Sequence, residues 1–363
     1  MVTTVMKVAH YIDRWLDLSA GFVAAHVRNS RHRSVVISRQ GWWHLEAYDL
    51  RPRYTLCHLR DRVPDRYKYA ALRAQLGPLL ALTRSELLHV HFGYAAPDVL
   101  DSVGRRPYVL SLHGQDVTGL VTEKPGYYDR VVGRVDAAIV PSRFLGTAAK
   151  AVGFTDEQIR VIPSGVDTEF FSPAPLPDGP PTITYVGRLV EKKGLDVLLA
   201  AWPEVLADVP DARLRVLGDG DLAPLLAEPP PSVTHLRPQV ARRHDQVRDE
   251  LRRASVVVTP SRTGRTGDAE SLLLVNLEAG ATGRPVVSTR HGGIPEYVED
   301  GRTGLLVPEA DPSALADALV RLLRDRDLAG RLGAAAIDHV AQWDVRRCTA
   351  RVDALYEELP RRR

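Results

Sequence analysis

Short apolar runs rich in β-branched residues alternate with segments of helical length over the first half of this sequence. Each run could form one buried strand, and each intervening segment could form a helix that returns the chain to the same edge of a sheet. This alternation predicts a parallel, doubly wound α/β sheet. The predicted strands cover residues 5–12, 33–39, 87–92, 107–113 and 137–142.

The alternation stops at residues 172–181, SPAPLPDGPP, where five of ten residues are proline. Proline fixes φ and lacks a backbone N–H, so this composition predicts a linker. The alternation then restarts, with a helix at residues 194–206. The second set of predicted strands covers residues 182–189, 213–220, 255–261 and 284–289.

We therefore predict two facing Rossmann-like domains, residues 1–171 and residues 182–343. Ligands of such sheets bind beyond the carboxyl ends of the strands, so we expect the active site in a cleft between the domains. The last helix, at about 344–363, could pack back on the first domain, an arrangement that composition leaves open.

The chain has 363 residues and a net charge of +3, which is unevenly distributed. Residues 1–160 contain 22 Lys and Arg against 15 Asp and Glu, and part of this excess lies in residues 51–73. Two interpretations stay open: a solvated face, or a surface for an anionic acceptor or acidic lipids. A nucleic-acid partner is not expected, because aromatic residues make up only 6% of the chain and no zinc-ligand spacing occurs.

No apolar stretch reaches the roughly 20 residues that a membrane span requires. The first residues, MVTTVMKVAHYID, lack the apolar core of a signal peptide. Cys57 and Cys348 show neither metal-ligand spacing nor a disulfide pattern. The sequence predicts a cytoplasmic protein, which the basic first domain could hold peripherally at the inner membrane face.

Two glutamates, Glu270 and Glu278, bracket a short apolar run in residues 267–289, GDAESLLLVNLEAGATGRPVVST. The pattern predicts a helix from an N-cap at Ser271 to about Thr282, with its N-terminus near the end of a strand. A helix N-terminus favours a phosphate, and neighbouring carboxylates can accept hydrogen bonds from sugar hydroxyls. The pair suggests a sugar-nucleotide site; the alternative is two solvated acids on a helix surface.

Two cations, Arg188 and Lys193, lie five residues apart in YVGRLVEKKG (185–194), directly after a predicted strand. Together they could neutralise a diphosphate leaving group without a metal. The alternative is a salt-bridged surface loop.

Together these residues resemble the family-4 retaining glycosyltransferases, which have the GT-B fold of two Rossmann-like domains. The combination of the paired glutamates, the Arg/Lys loop and a Gly-Gly-Ile-Pro-Glu segment is specific, and the similarity covers most of the chain. The matching segments are VGRLVEKKG (186–194), IPSGVDTEFF (162–171), VLGDG (216–220), TPS (259–261), ESLLLVNLEAGATGRPVVST (270–289) and GGIPEYVEDGRTGLLV (292–307).

The resemblance implies a role for each residue of the donor site. Arg188 and Lys193 would bind the donor diphosphate. Glu270 would contact hydroxyls of the transferred sugar, and Glu278 would contact the ribose. The backbone amides near the sugar and the phosphates would be those of Ser271, Leu272 and Leu273. The two leucines replace the smaller or different residues common in this family, which could alter the sugar that fits.

In the first domain the resemblance implies a catalytic, donor-contacting histidine. In this family that histidine lies in a segment at the end of a strand, and SLHGQDV (111–117) matches the segment. His113 is therefore the candidate for the catalytic histidine. Asp116 in the same segment is an acceptor-side candidate. HVHFGY (89–94) resembles a subgroup that includes exopolysaccharide glycosyltransferases, which makes His91 a second one. Without the family, such strand-end histidines would be interpreted as hydrogen-bonded structural residues.

The region after the first strand departs from the family. Many members have a Gly-Gly loop there that approaches the donor phosphate, whereas this chain has Ser19-Ala20-Gly21-Phe22. Small residues permit close backbone approach, so Gly21 is the donor-binding candidate of this loop.

The resemblance implies transfer of a sugar from a nucleoside diphosphate sugar, with UDP favoured, to an acceptor hydroxyl with retention of anomeric configuration. The transition state would be oxocarbenium-like, and the leaving phosphate would take the acceptor proton. The acceptor could be a saccharide, a lipid-linked saccharide or a natural product. No cofactor and no obligatory metal are expected, because Asp219 and Asp221 lie in a turn that is a family feature rather than a metal motif.

Other classes of protein stay open. A sugar-nucleotide epimerase has the same two-domain shape but would not need the Arg/Lys pair beside paired glutamates. A nicotinamide dehydrogenase would need Gly-x-Gly-x-x-Gly after the first strand, and residues 12–24 lack it. A non-catalytic protein could bind the same sugar nucleotide, and formation of a product would distinguish an enzyme from it.

Overall fold

The chain forms two compact units in the computed structural model, which describes residues 5–14, 21–40, 50–56, 65–239 and 243–360. The first unit consists of Met1–Ser164 and Val345–Arg363, and the second consists of Gly165–Asp344. The second unit is therefore a continuous piece of chain inserted into the first.

The first unit is built on a seven-stranded sheet in which all neighbouring strands are parallel. Its strands are β1 (Lys7–Arg14), β2 (Arg33–Gln40), β3 (Arg53–Thr55), β4 (Leu87–His91), β5 (Tyr108–Ser111), β6 (Ala137–Val140) and β7 (Ile159–Val161). They are arranged in the order β3-β2-β1-β4-β5-β6-β7. The strand order reverses between β1 and β4, the position at which parallel sheets open a crevice for ligands.

Helices follow the strands of this sheet. They are α1 (Gly21–Asn29), α2 (Asp65–Leu82), α3 (Ala96–Val99), α4 (Gln115–Thr118), α5 (Leu120–Glu123), α6 (Asp129–Val132) and α7 (Arg143–Ala151). Successive residues of a strand point to opposite faces of the sheet. Tyr11 of β1 accordingly lies in the cluster with Leu76 of α2 and Leu145 of α7, whereas Ile12 lies in the cluster with Val23 of α1.

The second unit repeats this architecture on a six-stranded parallel sheet. Its strands are β8 (Thr182–Val186), β9 (Arg213–Leu217), β10 (Val233–Leu236), β11 (Val256–Thr259), β12 (Val286–Thr289) and β13 (Gly304–Val307), in the order β10-β9-β8-β11-β12-β13. Its helices are α8 (Leu195–Asp208), α9 (Arg243–Arg253), α10 (Leu274–Ala281), α11 (Pro312–Arg324) and α12 (Arg326–Val340). Among the described residues, no helix combines the length and the apolar character needed to cross a membrane.

The proline-rich segment 172–181 belongs to the second unit, so the boundary at Ser164 lies earlier in the chain than the predicted linker. The physical reason is Arg284, whose side chain is completely buried. Its guanidinium donates to the carbonyl oxygens of Ala174 and Pro175, both at 2.8 Å. These bonds fasten the segment to the body of the second unit.

The last helix, α13 (Val345–Glu358), belongs to the first unit. Val352 and Leu355 lie in one apolar cluster with Val8 of β1. The carboxylate of Asp353 accepts hydrogen bonds from the hydroxyl of Ser30 at 2.7 Å and from the backbone N–H of Arg31 at 2.9 Å. These contacts hold α13 against the face of the sheet that α1 also covers.

Candidate active site

Four loops of the second unit carry ionisable side chains beyond the carboxyl ends of adjacent strands. Arg188 and Lys193 follow β8, and Glu270 follows β11. His291 follows β12, and Glu309 follows β13. Because β8, β11, β12 and β13 are neighbours in a parallel sheet, these side chains lie at the same edge of the sheet.

The centre of this site is a buried cluster of two lysines and two acids. The ammonium of Lys193 lies 2.9 Å from Oε1 of Glu270, and the ammonium of Lys192 lies 3.6 Å from the same oxygen. Lys192 also pairs with Asp268 at 2.9 Å. Lys193 and Glu270 were predicted from the sequence, whereas Lys192 and Asp268 were not, although both lie within the segments 185–194 and 267–289 on which the prediction depended.

Burial alone would raise the pKa of Glu270, but the charges of Lys193 and Lys192 outweigh burial and hold that pKa at about 2. Burial lowers the pKa of Lys193, and the carboxylate of Glu270 opposes this change. Glu270 is therefore an ionised hydrogen-bond acceptor beside two lysine ammonium groups. Such a site suits a ligand that brings both phosphates and hydroxyl groups.

Gly194 sets the position of Lys193 at the end of the short turn Glu191–Lys193. Its φ of 68° lies in the left-handed region, and a Cβ at this position would lie 1.9 Å from the carbonyl oxygen of Pro260. Only glycine fits both conditions. The turn after β8 can therefore rest on the end of β11 and direct Lys193 towards Glu270.

Arg188 lies on the same loop but is exposed, and it forms no ion pair with a carboxylate among the residues that the structure describes. Its carbonyl oxygen accepts a hydrogen bond from the hydroxyl of the buried Tyr185 at 3.0 Å. The backbone at Arg188 is thus fixed while its guanidinium faces solvent, an arrangement that leaves the cation accessible to an anionic ligand.

The helix after Glu270 begins later than predicted. Helix α10 starts at Leu274, and its N-cap position is occupied by Leu273, which provides no side-chain hydrogen bond. The predicted N-cap at Ser271 is therefore wrong. Leu273 has extended backbone angles (φ −93°, ψ 91°), so the chain remains non-helical through the buried Ser271 and the half-buried Leu272. Glu278 lies on the second turn of α10 and is half-buried.

The main chain of Glu270 is held by the segment that follows β12. Its N–H donates to Nε2 of His291 at 3.0 Å, and its carbonyl accepts from the N–H of Gly293 at 2.9 Å. Nδ1 of His291 lies 2.8 Å from Oε1 of Glu309. Neither His291 nor Glu309 was predicted from the sequence. His291 directly follows the predicted strand 284–289, whereas no strand was predicted before Glu309, so no local pattern marked the pair.

In the first unit, Asp116 organises the loop after β5. Its carboxylate accepts the backbone N–H groups of Gly93, His113 and Gly114 at 2.8–3.0 Å. Burial raises the pKa of Asp116, and these three donors oppose the rise. Asp116 is buried and engaged with its own chain, so its contact with an acceptor stays a prediction.

His113 packs between two phenylalanines, with ring centroids 4.7 Å from Phe22 and 4.5 Å from Phe92. Burial lowers its pKa to about 3, so the imidazole is neutral at physiological pH.

Gly21 forms the first residue of α1 and is half-buried. The neighbouring Ser19 and Ala20 lie outside the described residues, as does Cys57.

The first unit also contains a cluster of buried histidines beside His113. Nδ1 of His10 lies 3.2 Å from Nε2 of His91. The two ring nitrogens of His89 lie 2.6 Å from the hydroxyl of Tyr356 and 2.7 Å from that of Ser111. The Tyr356 hydroxyl is also 3.1 Å from Nε2 of His26. We refer to His10, His26, His89, His91 and Tyr356 as the histidine cluster.

Burial lowers the pKa of all four imidazoles in the histidine cluster, and that of His26 falls to about 4. A cavity of about 40 Å³ adjoins the cluster, and its lining includes His89, His91, His113 and Cys348. All of these residues belong to the first unit. His91, the acceptor-side candidate, thus contacts both a neighbouring imidazole and this cavity.

Three members of the cluster bring one ring nitrogen each to within 4.8 Å of one another, namely His10, His89 and His91. Both nitrogens of His89 already have close hydroxyl partners, so hydrogen bonding accounts for the arrangement. Asp219 and Asp221 form no comparable group among the described residues. Instead, Oδ1 of Asp219 accepts the N–H of Gly220 in a turn. A reaction without an obligatory metal stays a prediction.

Comparison with known proteins agrees with this organisation. A family model described as glycosyltransferase family 4 matches residues 20–170, and one described as glycosyl transferases group 1 matches residues 180–325. The structure of Anabaena HepE in complex with UDP superimposes with a TM-score of 0.80 and 19% identity, covering 98% of this chain and all of that chain. This similarity confirms the predicted fold of two parallel α/β domains of the GT-B type.

Two curated relatives identify the family. A GDP-mannose-dependent monoacylated α-(1-6)-phosphatidylinositol monomannoside mannosyltransferase of Corynebacterium glutamicum is 31% identical over 297 residues, covering 76% of this chain and 78% of the relative. A GDP-mannose-dependent α-(1-6)-phosphatidylinositol monomannoside mannosyltransferase of Mycolicibacterium smegmatis is 33% identical over 282 residues, covering 71% and 73%. The chain therefore belongs to the family-4 glycosyltransferases and is an enzyme that transfers glycosyl groups.

Proposed function

We propose that this enzyme transfers a sugar, with retention of anomeric configuration, from a nucleoside diphosphate sugar to a hydroxyl group of a saccharide, a lipid-linked saccharide or a natural product. The observation that carries the proposal is the buried cluster in which Lys192 and Lys193 converge on the ionised Glu270. The two lysine cations match the phosphates of such a donor, and the carboxylate of Glu270 matches the hydroxyl groups of its sugar.

In this proposal Lys193 and the exposed Arg188 stabilise the departing diphosphate, on which negative charge develops in the transition state. Glu270 accepts hydrogen bonds from hydroxyls of the transferred sugar, and Glu278 accepts them from the ribose. The leaving phosphate takes the proton of the acceptor hydroxyl as the new glycosidic bond forms. A catalytic role of His113 in the first unit stays a prediction.

The base and the sugar of the donor define the finer part of the proposal. The family resemblance favours UDP, whereas the relatives from Corynebacterium and Mycolicibacterium are named as GDP-mannose-dependent. We retain a UDP-sugar as the first candidate and GDP-mannose as the second.

A cytoplasmic location with peripheral contact to the inner membrane face is also proposed, and sedimentation with anionic vesicles tests it.

The first experiment is a thermal-shift titration with UDP-, GDP- and TDP-sugars. A ligand at 100 times its dissociation constant adds about 2.7 kcal/mol to the free energy of unfolding. One sugar nucleotide should raise the melting temperature, and turnover is then measured with that donor and candidate acceptors. No shift with any donor would contradict the proposed donor site.

Variants then test the assignment of roles. We expect Arg188→Ala to lower kcat chiefly and Glu278→Ala to raise the dissociation constant of the donor. A chelator should leave turnover intact. Wild-type kinetics in both variants would contradict the site, and a large loss of turnover with the chelator would contradict a metal-independent reaction.

A further inference from the structure

Both peptide groups of Glu270 are engaged by one short segment after β12. The N–H donates to His291 and the carbonyl accepts from Gly293, at 3.0 and 2.9 Å. Gly292 makes this contact sterically possible, because a Cβ there would lie 2.0 Å from the carbonyl oxygen of Glu270 and its φ is 53°. The segment 291–293 therefore holds the main chain of Glu270 at both its N–H and its carbonyl group, on either side of the side chain.

The hydrogen bond from Glu270 also fixes the proton of His291. Nε2 accepts an N–H and so carries no proton, which places the proton of the neutral ring on Nδ1. Nδ1 lies 2.8 Å from Oε1 of Glu309 and donates to it. The imidazole is buried, with 1% of its surface exposed, so water cannot replace either partner readily.

Glu309 has a second attachment on the loop that leads to Glu270. Its Oε2 accepts the backbone N–H of Thr263 at 2.7 Å and the hydroxyl of Thr263 at 3.1 Å. Burial would raise the pKa of Glu309, but these donors and His291 outweigh burial and lower it, so the carboxylate is ionised at neutral pH. The carboxylate of Glu309 therefore links the two ends of the loop that follows β11. It binds Thr263 near the start of the loop directly, and it contacts Glu270 near the end through His291.

The lysines hold Glu270 only through its carboxylate, and a donor must compete with them for that group. The main chain therefore has to be fixed independently if the carboxylate is to remain in place when a sugar displaces a lysine. We propose that His291 and Glu309 are positioning residues that fix the main chain of Glu270 and so aim its carboxylate at the transferred sugar. This inference rests on the proposed function, in which Glu270 contacts that sugar.

Two substitutions of His291 separate its two hydrogen bonds. In His291→Asn the side-chain amide lies near the position of Nδ1, so the contact with Glu309 can form but the acceptor for Glu270 is lost. In His291→Gln the side-chain oxygen can reach the position of Nε2 and accept the N–H of Glu270. Arg290→Ala is the matched control, because Arg290 is the preceding residue and forms an exposed ion pair with Asp300.

Calorimetry should measure the affinity of each variant for the sugar nucleotide and for the corresponding nucleoside diphosphate, and kinetics should give kcat and KM. We expect His291→Asn to lower kcat and the sugar-dependent part of the affinity by roughly tenfold, the size of one lost hydrogen bond. Nucleoside diphosphate affinity should change less than about twofold. His291→Gln should recover most of the loss, and Arg290→Ala should behave as wild type.

Glu309→Gln provides a second test if His291→Asn folds poorly. The amide keeps the shape of the side chain but offers one acceptor oxygen to the donors of His291 and Thr263, so we expect a loss of a few-fold in the same sugar-dependent affinity. Equal losses for nucleoside diphosphate and sugar nucleotide, or equal behaviour of His291→Asn and His291→Gln, would overturn the positioning role. If the wild-type protein binds neither nucleoside diphosphates nor sugar nucleotides, the proposed function fails and this inference fails with it.

Discussion

The two units share a parallel α/β architecture but place different chemistry in their interiors. In the first unit the buried polar groups between the sheet and α13 include a network of imidazoles and hydroxyls, centred on His89 and Tyr356. In the second unit the polar groups at the strand ends include a cluster of ions, centred on Lys193 and Glu270. The same topology therefore supports a neutral hydrogen-bonded network in one unit and a charged cluster in the other.

This difference follows from the cost of burying each kind of group. A neutral imidazole can be buried if its donor and acceptor find partners, whereas a buried ion needs an opposite charge to offset its lost hydration. The charged cluster is therefore an inefficient way to stabilise a fold and a useful way to bind a charged ligand. The histidine cluster fastens α13 to the sheet.

The largest expected effect concerns the charged cluster. Lys193→Ala should lower kcat by roughly 10²–10³-fold, because it removes a buried cation from beside the developing negative charge. Lys193→Arg should recover only part of the activity, since the guanidinium differs in shape and hydration. Steady-state kinetics with the identified donor provides the measurement, and Arg324→Ala, which alters an exposed pair with Asp208, is the control. A kcat within about threefold of wild type in Lys193→Ala would show that this lysine has no electrostatic role in catalysis.

The second effect separates the units by pH. Burial lowers the pKa of the clustered histidines in the folded chain below the ordinary 6.5. At a pH between this lowered pKa and 6.5, the unfolded chain therefore binds more protons than the folded chain. The free energy of unfolding of the first unit should therefore fall as the pH drops below about 6.5, by up to roughly 1.4 kcal/mol per pH unit for each histidine. Glu270 has a lowered pKa of about 2 against 4.5, so its contribution is complete above 4.5 and is lost as the pH falls towards 2.

Hydrogen exchange at pH 7.0 and pH 5.0, corrected for intrinsic rates, tests this contrast within one molecule. Peptides from β1 and β4 should lose protection at the lower pH, while peptides from β8 and β11 serve as the internal control. Equal losses in the two sets would mean that the histidine cluster does not control the acid response.

A third, smaller effect compares two buried tyrosines. Tyr356→Phe removes a hydroxyl that lies between His89 and His26, which leaves buried ring nitrogens without a partner and should cost about 1–3 kcal/mol. Tyr185→Phe in the second unit removes a bond only to the carbonyl of the exposed Arg188, which water can reach, so the cost should be about 1 kcal/mol or less. Urea unfolding followed by circular dichroism measures both. The reverse order of costs would contradict the assignment of the histidine cluster as a structural network.

The smallest effects are expected at surface ion pairs. Lys150 pairs with Asp156 in the first unit, and Arg324 pairs with Asp208 in the second. Both pairs are solvent-exposed, so Lys150→Ala and Arg324→Ala should each change the free energy of unfolding by about 0.5 kcal/mol or less. Denaturant titration of the two variants measures this free energy. A larger change in either variant would show that the electrostatic difference between the two units extends to their surfaces.

The sequence predicted the architecture because the central strands carry continuous apolar runs. The strands missed lie at the edges of the sheets, namely β3 and β7 in the first sheet and β10 and β13 in the second. β3, β7 and β10 are short and only partly buried, so they lack the apolar pattern on which the prediction depended. β13 is buried, but its apolar run is only four residues long. The start of α10 was also misplaced, because the extended conformation before Leu274 depends on contacts with a distant segment.

The candidate site shows the same limit. Lys193 and Glu270 were found because each lies in a recognisable motif, and the structure pairs them directly. Glu309 is 39 residues beyond Glu270 in the sequence, and only the order β11-β12-β13 brings the two loops together. A residue whose role is to hold another main chain leaves no local pattern, so His291 and Glu309 required the structure.

The position of α13 in the sequence has a consequence for biosynthesis. Because the second unit lies between the two parts of the first, the ribosome completes all of Gly165–Asp344 before it makes the helix that carries Tyr356. At 5–20 residues per second this interval is on the order of ten seconds or more. During that time the nascent first unit exposes the apolar surface later covered by Val352 and Leu355, so the unit that is started first is the one that finishes last.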